Sequence, residues 1–255
     1  MFEISEVASP TVRYGKLSTT LPVIISGALA LTVLPMIYLH LVSIGLLDPL
    51  HTTVSDYVSV PGGAVLLAIS TIALATAALA LPAHLTARGA RVPATARISL
   101  VLGCVGLLAS VVFPTNVLGT AADESTVLHR YAAGLFFIAL PIAAWSLARA
   151  AARAGAPTPA VGRLAVASAL VGVAFLISHI PLLFPNFPHA DLIATVLPRG
   201  LVERVLLLVD ICALAVISRS TGRPRPALPE GTARATEPAT ARGTESAETA
   251  GLVRR

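Results

Sequence analysis

GGAVLLAISTIALATAALALPA, running from Gly62 to Ala83, holds twenty-two residues without a charge. A bilayer's hydrocarbon core is about 30 Å thick and takes about 20 mostly apolar residues in a helix, because lipid offers no partner to a bare backbone N–H or C=O. Working outward, five more such stretches appear: Leu21 to Leu41 before it, then Ile98 to Phe113, Leu128 to Leu147, Leu164 to Phe184 and Leu201 to Ser218. The one at Ile98 is the shortest. The prediction is an all-α fold, a polytopic membrane bundle of six transmembrane helices over residues 18–219. A lead-in spans 1–17 and a tail 220–255. The first apolar run exceeds a typical signal-peptide core and further spans follow, so it reads as retained.

Composition agrees. The 255 residues are 55% hydrophobic and only 12% charged, against about 25% charged in a soluble domain. Mean hydropathy is +0.82. Two cysteines exclude a disulfide-stapled secreted domain, and the net charge of +5 is too scattered for a nucleic-acid binder. The basic residues have another logic, since short loops that keep Lys and Arg stay on the cytoplasmic side. Arg13 and Lys16 precede the first span; Arg88, Arg91 and Arg97 join the second and third; Arg149, Arg153 and Arg163 join the fourth and fifth; Arg219, Arg223 and Arg225 follow the sixth. The alternate loops carry Asp48, Asp56, Asp123, Glu124 and Asp191, with Arg130, Arg199 and Arg204 near span ends. Both termini are therefore expected in the cytoplasm, and the protein in the plasma membrane. Beyond about Thr221 the chain turns to Arg, Pro, Thr, Glu, Ala and Gly, a composition that cannot bury enough surface to fold and predicts a disordered cytoplasmic tail.

Polar chemistry gathers in the outward loops. Asp48 suits a helix N-cap and Pro49 the first helical position, which predicts a short surface helix with His51 and Ser55 on one face and Thr52 and Asp56 on the next. In that register His51 poises Ser55 or joins Asp56 around a cation; the plainer reading is capping. The second outward segment runs from Phe113-Pro114-Thr115 to His129-Arg130 at the top of span four. The third opens on the similar Phe184-Pro185-Asn186 and ends at Glu203-Arg204 entering span six. A Pro after an apolar helix is ordinary helix-stop chemistry.

Within the spans Asp210 is the most costly residue, because a lone carboxylate in hydrocarbon must face the bundle or be neutralised. Arg199, Glu203 and Asp210 share one helical stripe, with His40 and His179 as candidate partners and Arg204 within reach of Asp56 or Glu124. Cys104 and Cys212 read as packing residues. No nucleotide-binding loop, His-Glu-x-x-His or Gly-x-Ser-x-Gly motif is present.

Asp48-Pro49 with Ser55-Asp56-Tyr57, Phe113-Pro114-Thr115, His129 with Ala132-Ala133-Gly134, and Gly200-Leu201 with Glu203-Arg204 occur in that order at the outer ends of spans. In this the chain resembles the bacterial six-span membrane proteins, common in actinobacteria, catalogued as domain-of-unknown-function family 998. The resemblance covers roughly residues 20 to 219. It implies the six-span architecture and flags these residues, but assigns no activity; Asp210 lies outside its pattern.

Three functional readings follow. The first is a pocket on the extracytoplasmic side, formed by Asp48, His51, Ser55, Asp56, His129, Arg130, His179, Glu203 and Arg204, that binds a membrane lipid headgroup or a partner protein. The second is a lipid amide or ester hydrolase with Ser55, Asp56 and His129 as catalytic candidates; a divalent metal enters only here, with His51, His129 and His179 as candidate ligands. The third is a small proton- or cation-coupled transporter using Asp210. Membrane lipids are the expected partners in the first two, and nucleic acid in none.

Overall fold

The computed structural model describes residues 10–155, 157–184 and 186–220, with side chains described from residue 20 onward. Every regular element among them is helical: α1 Pro10–Val42, a 3-10 turn Val54–Ser59, α2 Gly63–Ala87, α3 Ala94–Val112, α4 Glu124–Arg153, α5 Pro159–Ser178, α6 Ile180–Leu183, α7 Ala190–Val196 and α8 Arg199–Ser220. Five candidate spans are long and apolar enough to cross a membrane: α1 from Thr20, α2, α3, α4, and α5 continued through α6 to Leu183. The sixth expected span, α8, does not qualify on composition. Its 22 residues reach about 33 Å, but Glu203, Arg204 and Asp210 all fall within Leu201 to Ser218.

Two boundaries differ from expectation for physical reasons. The lead-in is already helix from Pro10, so α1 begins well before the apolar run. The fifth helix stops at Ser178 rather than Phe184, because Pro181 lacks the N–H that would bond the Ile177 carbonyl, and the chain restarts as the short α6. The expected tail lies outside the described residues from 221 onward, as do residues 1–9.

Helices between apolar surfaces gain nothing from being squeezed out of lipid, so close packing and polar contacts must hold them. Small residues provide the first. A Cβ on Gly106 of α3 would stand 2.4 Å from the Ala132 carbonyl oxygen of α4, so only glycine permits that approach. Ala77, Ala78, Ala143 and Ala144 are buried in the same way. Large apolar side chains such as Leu34, Leu41, Val65, Leu170 and Leu208 are exposed on the periphery, as a lipid-facing surface requires.

Polar contacts hold α8 at three depths. At its start the Leu201 N–H donates to Leu50 O at 3.1 Å. Midway, the Ser168 hydroxyl of α5 donates to Asp210 Oδ1 at 2.6 Å, and both residues are fully buried. Near its end the buried His84 of α2 donates from Nε2 to Ser218 O at 2.9 Å.

α1, α3 and the α5–α6 segment finish where α2, α4 and α8 begin, and this end, the polar rim, carries Asp48, Asp56, His129 and Glu203. The opposite end carries Arg88, Arg91, Arg97, Arg149, Arg153 and Arg163.

Candidate functional site

The loop after α1 is built by short-range capping. Asp48 accepts the Leu50 N–H on Oδ1 at 2.9 Å and the His51 Nδ1–H on Oδ2 at 2.7 Å. Those two donors hold the exposed Asp48 carboxyl below the usual carboxylate range, the histidine contributing more. With Asp48 closing its own turn, the surface helix expected from Pro49 does not form. The 3-10 turn starts instead after Thr53, whose N–H and hydroxyl donate to Asp56 Oδ2 at 2.6 and 2.8 Å. The His51/Ser55 register is thereby lost. Ser55 Oγ lies 2.9 Å from Thr53 Oγ1, and His51 faces Asp48.

This loop is then welded to the start of α8. Glu203, buried at 8% exposure, accepts the Val54 N–H on Oε2 at 2.7 Å. Arg204 donates through Nη1 to Thr52 O and Gly200 O at 2.7 and 2.8 Å, through Nη2 to Tyr57 Oη at 3.0 Å, and through Nε to His40 Nε2 at 2.8 Å. Its guanidinium also sits 5.5 Å from the Tyr57 ring centroid, within cation–π range. A carbonyl can only accept, so the 2.7 Å contact of His40 Nδ1 with Met36 O places the hydrogen on Nδ1 and turns the Nε2 lone pair to Arg204. Gly200 makes the junction possible: a Cβ there would lie 2.1 Å from Thr52 O and 2.7 Å from Pro49 O.

The opposite wall comes from α3 and α4. His129 Nδ1 donates to Ser110 O at 2.9 Å and Phe113 O at 3.0 Å, closing carbonyls that the end of α3 leaves open. Its Nε2 is then left as an acceptor. Asp123 caps α4 by accepting the Thr126 N–H and hydroxyl, each at 2.8 Å, which holds its carboxyl below the ordinary range. The two rim loops meet where the Leu118 N–H donates to Ser59 Oγ at 3.0 Å.

Between these walls lies a cavity of about 290 Å³. Ser55, Thr71, Ser110, Thr115, His129 and Glu203 supply its polar lining, and Leu67, Leu107, Phe137 and Leu207 are among its apolar walls. Three of the sequence-predicted residues therefore share one cavity, and the rest stand elsewhere. Asp56 is spent on Thr53, and Arg204 meets His40 and Tyr57 rather than Asp56 or Glu124. Arg130 is half-buried within electrostatic reach of Asp56 and Arg199. His179, just past the end of α5, bonds Phe175 O at 2.8 Å and packs tilted against that ring. Asp210 is held by Ser168, deeper in the bundle. Among the described residues no group of three or more His, Cys, Asp or Glu is placed to hold a metal ion, so His51, His129 and His179 do not form one donor set. Sequence reasoning assigned no role to Tyr57, Thr115 or Ser168; Tyr57 and Thr115 carried a signal in the Ser55-Asp56-Tyr57 and Phe113-Pro114-Thr115 runs, and Ser168 carried none.

A family model described as Protein of unknown function (DUF998) matches residues 24–220. The chain belongs to this family. The match spans the polar rim, the cavity walls and α8 to its last residue, so the whole candidate site of this DUF998 chain lies within the family's shared region. No curated protein and no solved structure matches it.

Proposed function

We propose that this DUF998 protein resides in the plasma membrane with α8 as a sixth span and both termini in the cytoplasm, and that its polar rim binds the headgroup of a membrane lipid on the extracytoplasmic side. The observation that carries this reading is the rim cavity, polar at Ser55, Thr115, His129 and Glu203 and apolar at Leu67, Leu107, Phe137 and Leu207. An amphiphile has the same division. About 290 Å³ is near the lower end of small-molecule sites and suits a headgroup with the first carbons of its chain. The lining also selects chemistry. Glu203 and the free Nε2 of His129 are acceptors, so a headgroup bearing hydroxyl or ammonium donors fits them best. The reading of α8 as a sixth span is supported by its packing against α5, α1, α2 and α4, with its polar side chains turned to partners in the bundle.

The test is mass spectrometry of lipid that co-purifies with the full chain. Leu67→Trp, which fills the cavity, is expected to remove the bound species while the thermal transition persists, and Glu203→Gln to change which headgroup is retained. An unaltered lipid complement in both variants overturns the reading. Labelling of single cysteines placed at Asp56 and at Arg91 in intact cells tests the threading: only the first is expected to react with an impermeant reagent.

A further inference from the structure

The opposite end of the bundle holds a second recess. A groove of about 580 Å³ runs between α1, α2 and α3, lined by Leu21, Leu79, Ala83, Leu100 and Val101, with Arg97 at its mouth. Its depth comes from α2, where Pro82, Ala83 and Ala87 present little side chain. Thr86 also lines it, but its hydroxyl is spent on Pro82 O at 2.8 Å. Arg97 is the fourth residue of α3, about 5 Å along the axis from the helix start, which is interfacial depth for a spanning helix.

Among the described residues no carboxylate is placed to compensate Arg97. The sequence has no carboxylate between Asp56 and Asp123. Every described Asp and Glu, namely Asp48, Asp56, Asp123, Glu124, Asp191, Glu203 and Asp210, belongs to the polar rim or to the interior of α8, so the Arg97 guanidinium meets no acid of its own chain among the described residues. An apolar trough ending at an exposed arginine, with Arg88 and Arg91 on the same connector, has the charge and shape of a phospholipid's mirror image. The geometry points to a binding groove for an anionic phospholipid, one acyl chain lying against Leu79, Ala83 and Val101 and the phosphate accepting from Arg97. This groove is separate from the rim cavity and does not depend on the function proposed for it. It places a lipid contact in the leaflet that faces the arginine-rich connectors, where anionic lipid and basic residues attract.

Native mass spectrometry of the full chain in micelles, titrated with phosphatidylglycerol or phosphatidylcholine, tests it. Phosphatidylglycerol is expected to bind more tightly. Arg97→Gln is expected to reduce that preference about fivefold, as loss of one arginine's attraction for a headgroup of net negative charge should. Arg91→Gln, on the same connector but outside the groove lining, is expected to leave it. Ala83→Phe fills the trough without altering any charge and is expected to weaken both lipids. Soluble glycerophosphoglycerol at the same concentration is expected not to compete, because the chain-binding walls are idle without an acyl group. Equal effects of Arg91→Gln and Arg97→Gln would mean diffuse surface charge and overturn the site, as would binding indifferent to Ala83→Phe. If Arg97→Gln fails to fold, the parent's preference for phosphatidylglycerol together with the loss of binding in Ala83→Phe decides, and absence of either overturns the site.

Discussion

Arg204 of α8 donates its Nε–H to Nε2 of His40 on α1 at 2.8 Å, joining residues 164 positions apart. The same guanidinium reaches Thr52 O, Gly200 O and Tyr57 Oη, so one planar fork satisfies acceptors on three segments. A lysine ammonium cannot span that set. Arg204→Lys is therefore expected to destabilise the protein by about 2 kcal/mol, and Arg204→Ala by about 3 kcal/mol, because buried acceptors lose charge-assisted donors. Thermal unfolding in detergent, followed by size-exclusion chromatography, measures both; a transition unchanged in Arg204→Lys contradicts the fork.

Two glycines on neighbouring helices separate packing from propensity. At Gly200 a Cβ meets backbone oxygens at 2.1 and 2.7 Å, so Gly200→Ala must push α8 from the loop and is expected to cost about 2 kcal/mol or more. At Gly134, inside α4, nothing stands within 4 Å of a built Cβ. Gly134→Ala is expected to stabilise by up to about 1 kcal/mol through helix propensity. Opposite signs in the same unfolding assay are the expected result.

Asp123 gives a pH dependence with a definite sign. Its folded pKa is held below the ordinary value of 3.8 by the Thr126 N–H and hydroxyl. The cap therefore contributes above the unfolded carboxylate pKa and is lost as pH falls through the folded value. Asn is nearly as good an N-cap as Asp and does not titrate here. Asp123→Asn is expected to match the parent at pH 7 and to lose less stability on acidification below about pH 4. A parallel acid limb in parent and variant counts against the cap.

The Ser168–Asp210 bond is open to a double-mutant cycle. Ser168→Ala is expected to cost about 1 kcal/mol, the scale measured for hydrogen bonds between membrane helices. Asp210→Leu combined with Ser168→Ala is expected to recover that loss, since no buried polar group is then left without a partner. Additive losses in the double variant show that the two side chains do not act together.

The spans were legible because lipid imposes a strong local rule: an uncharged run from Gly62 to Ala83 has one outcome, and α2 occupies Gly63–Ala87. The gathering of Ser55, His129 and Glu203 at one end was also legible, since hairpin alternation fixes which loops share a rim. What failed was local register. Placing His51 over Ser55 assumed a continuous helix from Pro49, and the Asp48 and Thr53 caps each closed a separate turn. What was absent was pairing across the bundle. Nothing near Ser168 indicates that it faces Asp210, and nothing near His40 selects Arg204 over an acid, because such contacts depend on helix rotation, which apolar runs do not encode.

The ties on α8 near Gly200, at Asp210 and at Ser218 bear on how the rim cavity can admit anything. To swing or slide, this helix would have to rupture all three together, whereas each alone is a small cost. α8 thus behaves as a fixed post that holds one wall of the cavity in place.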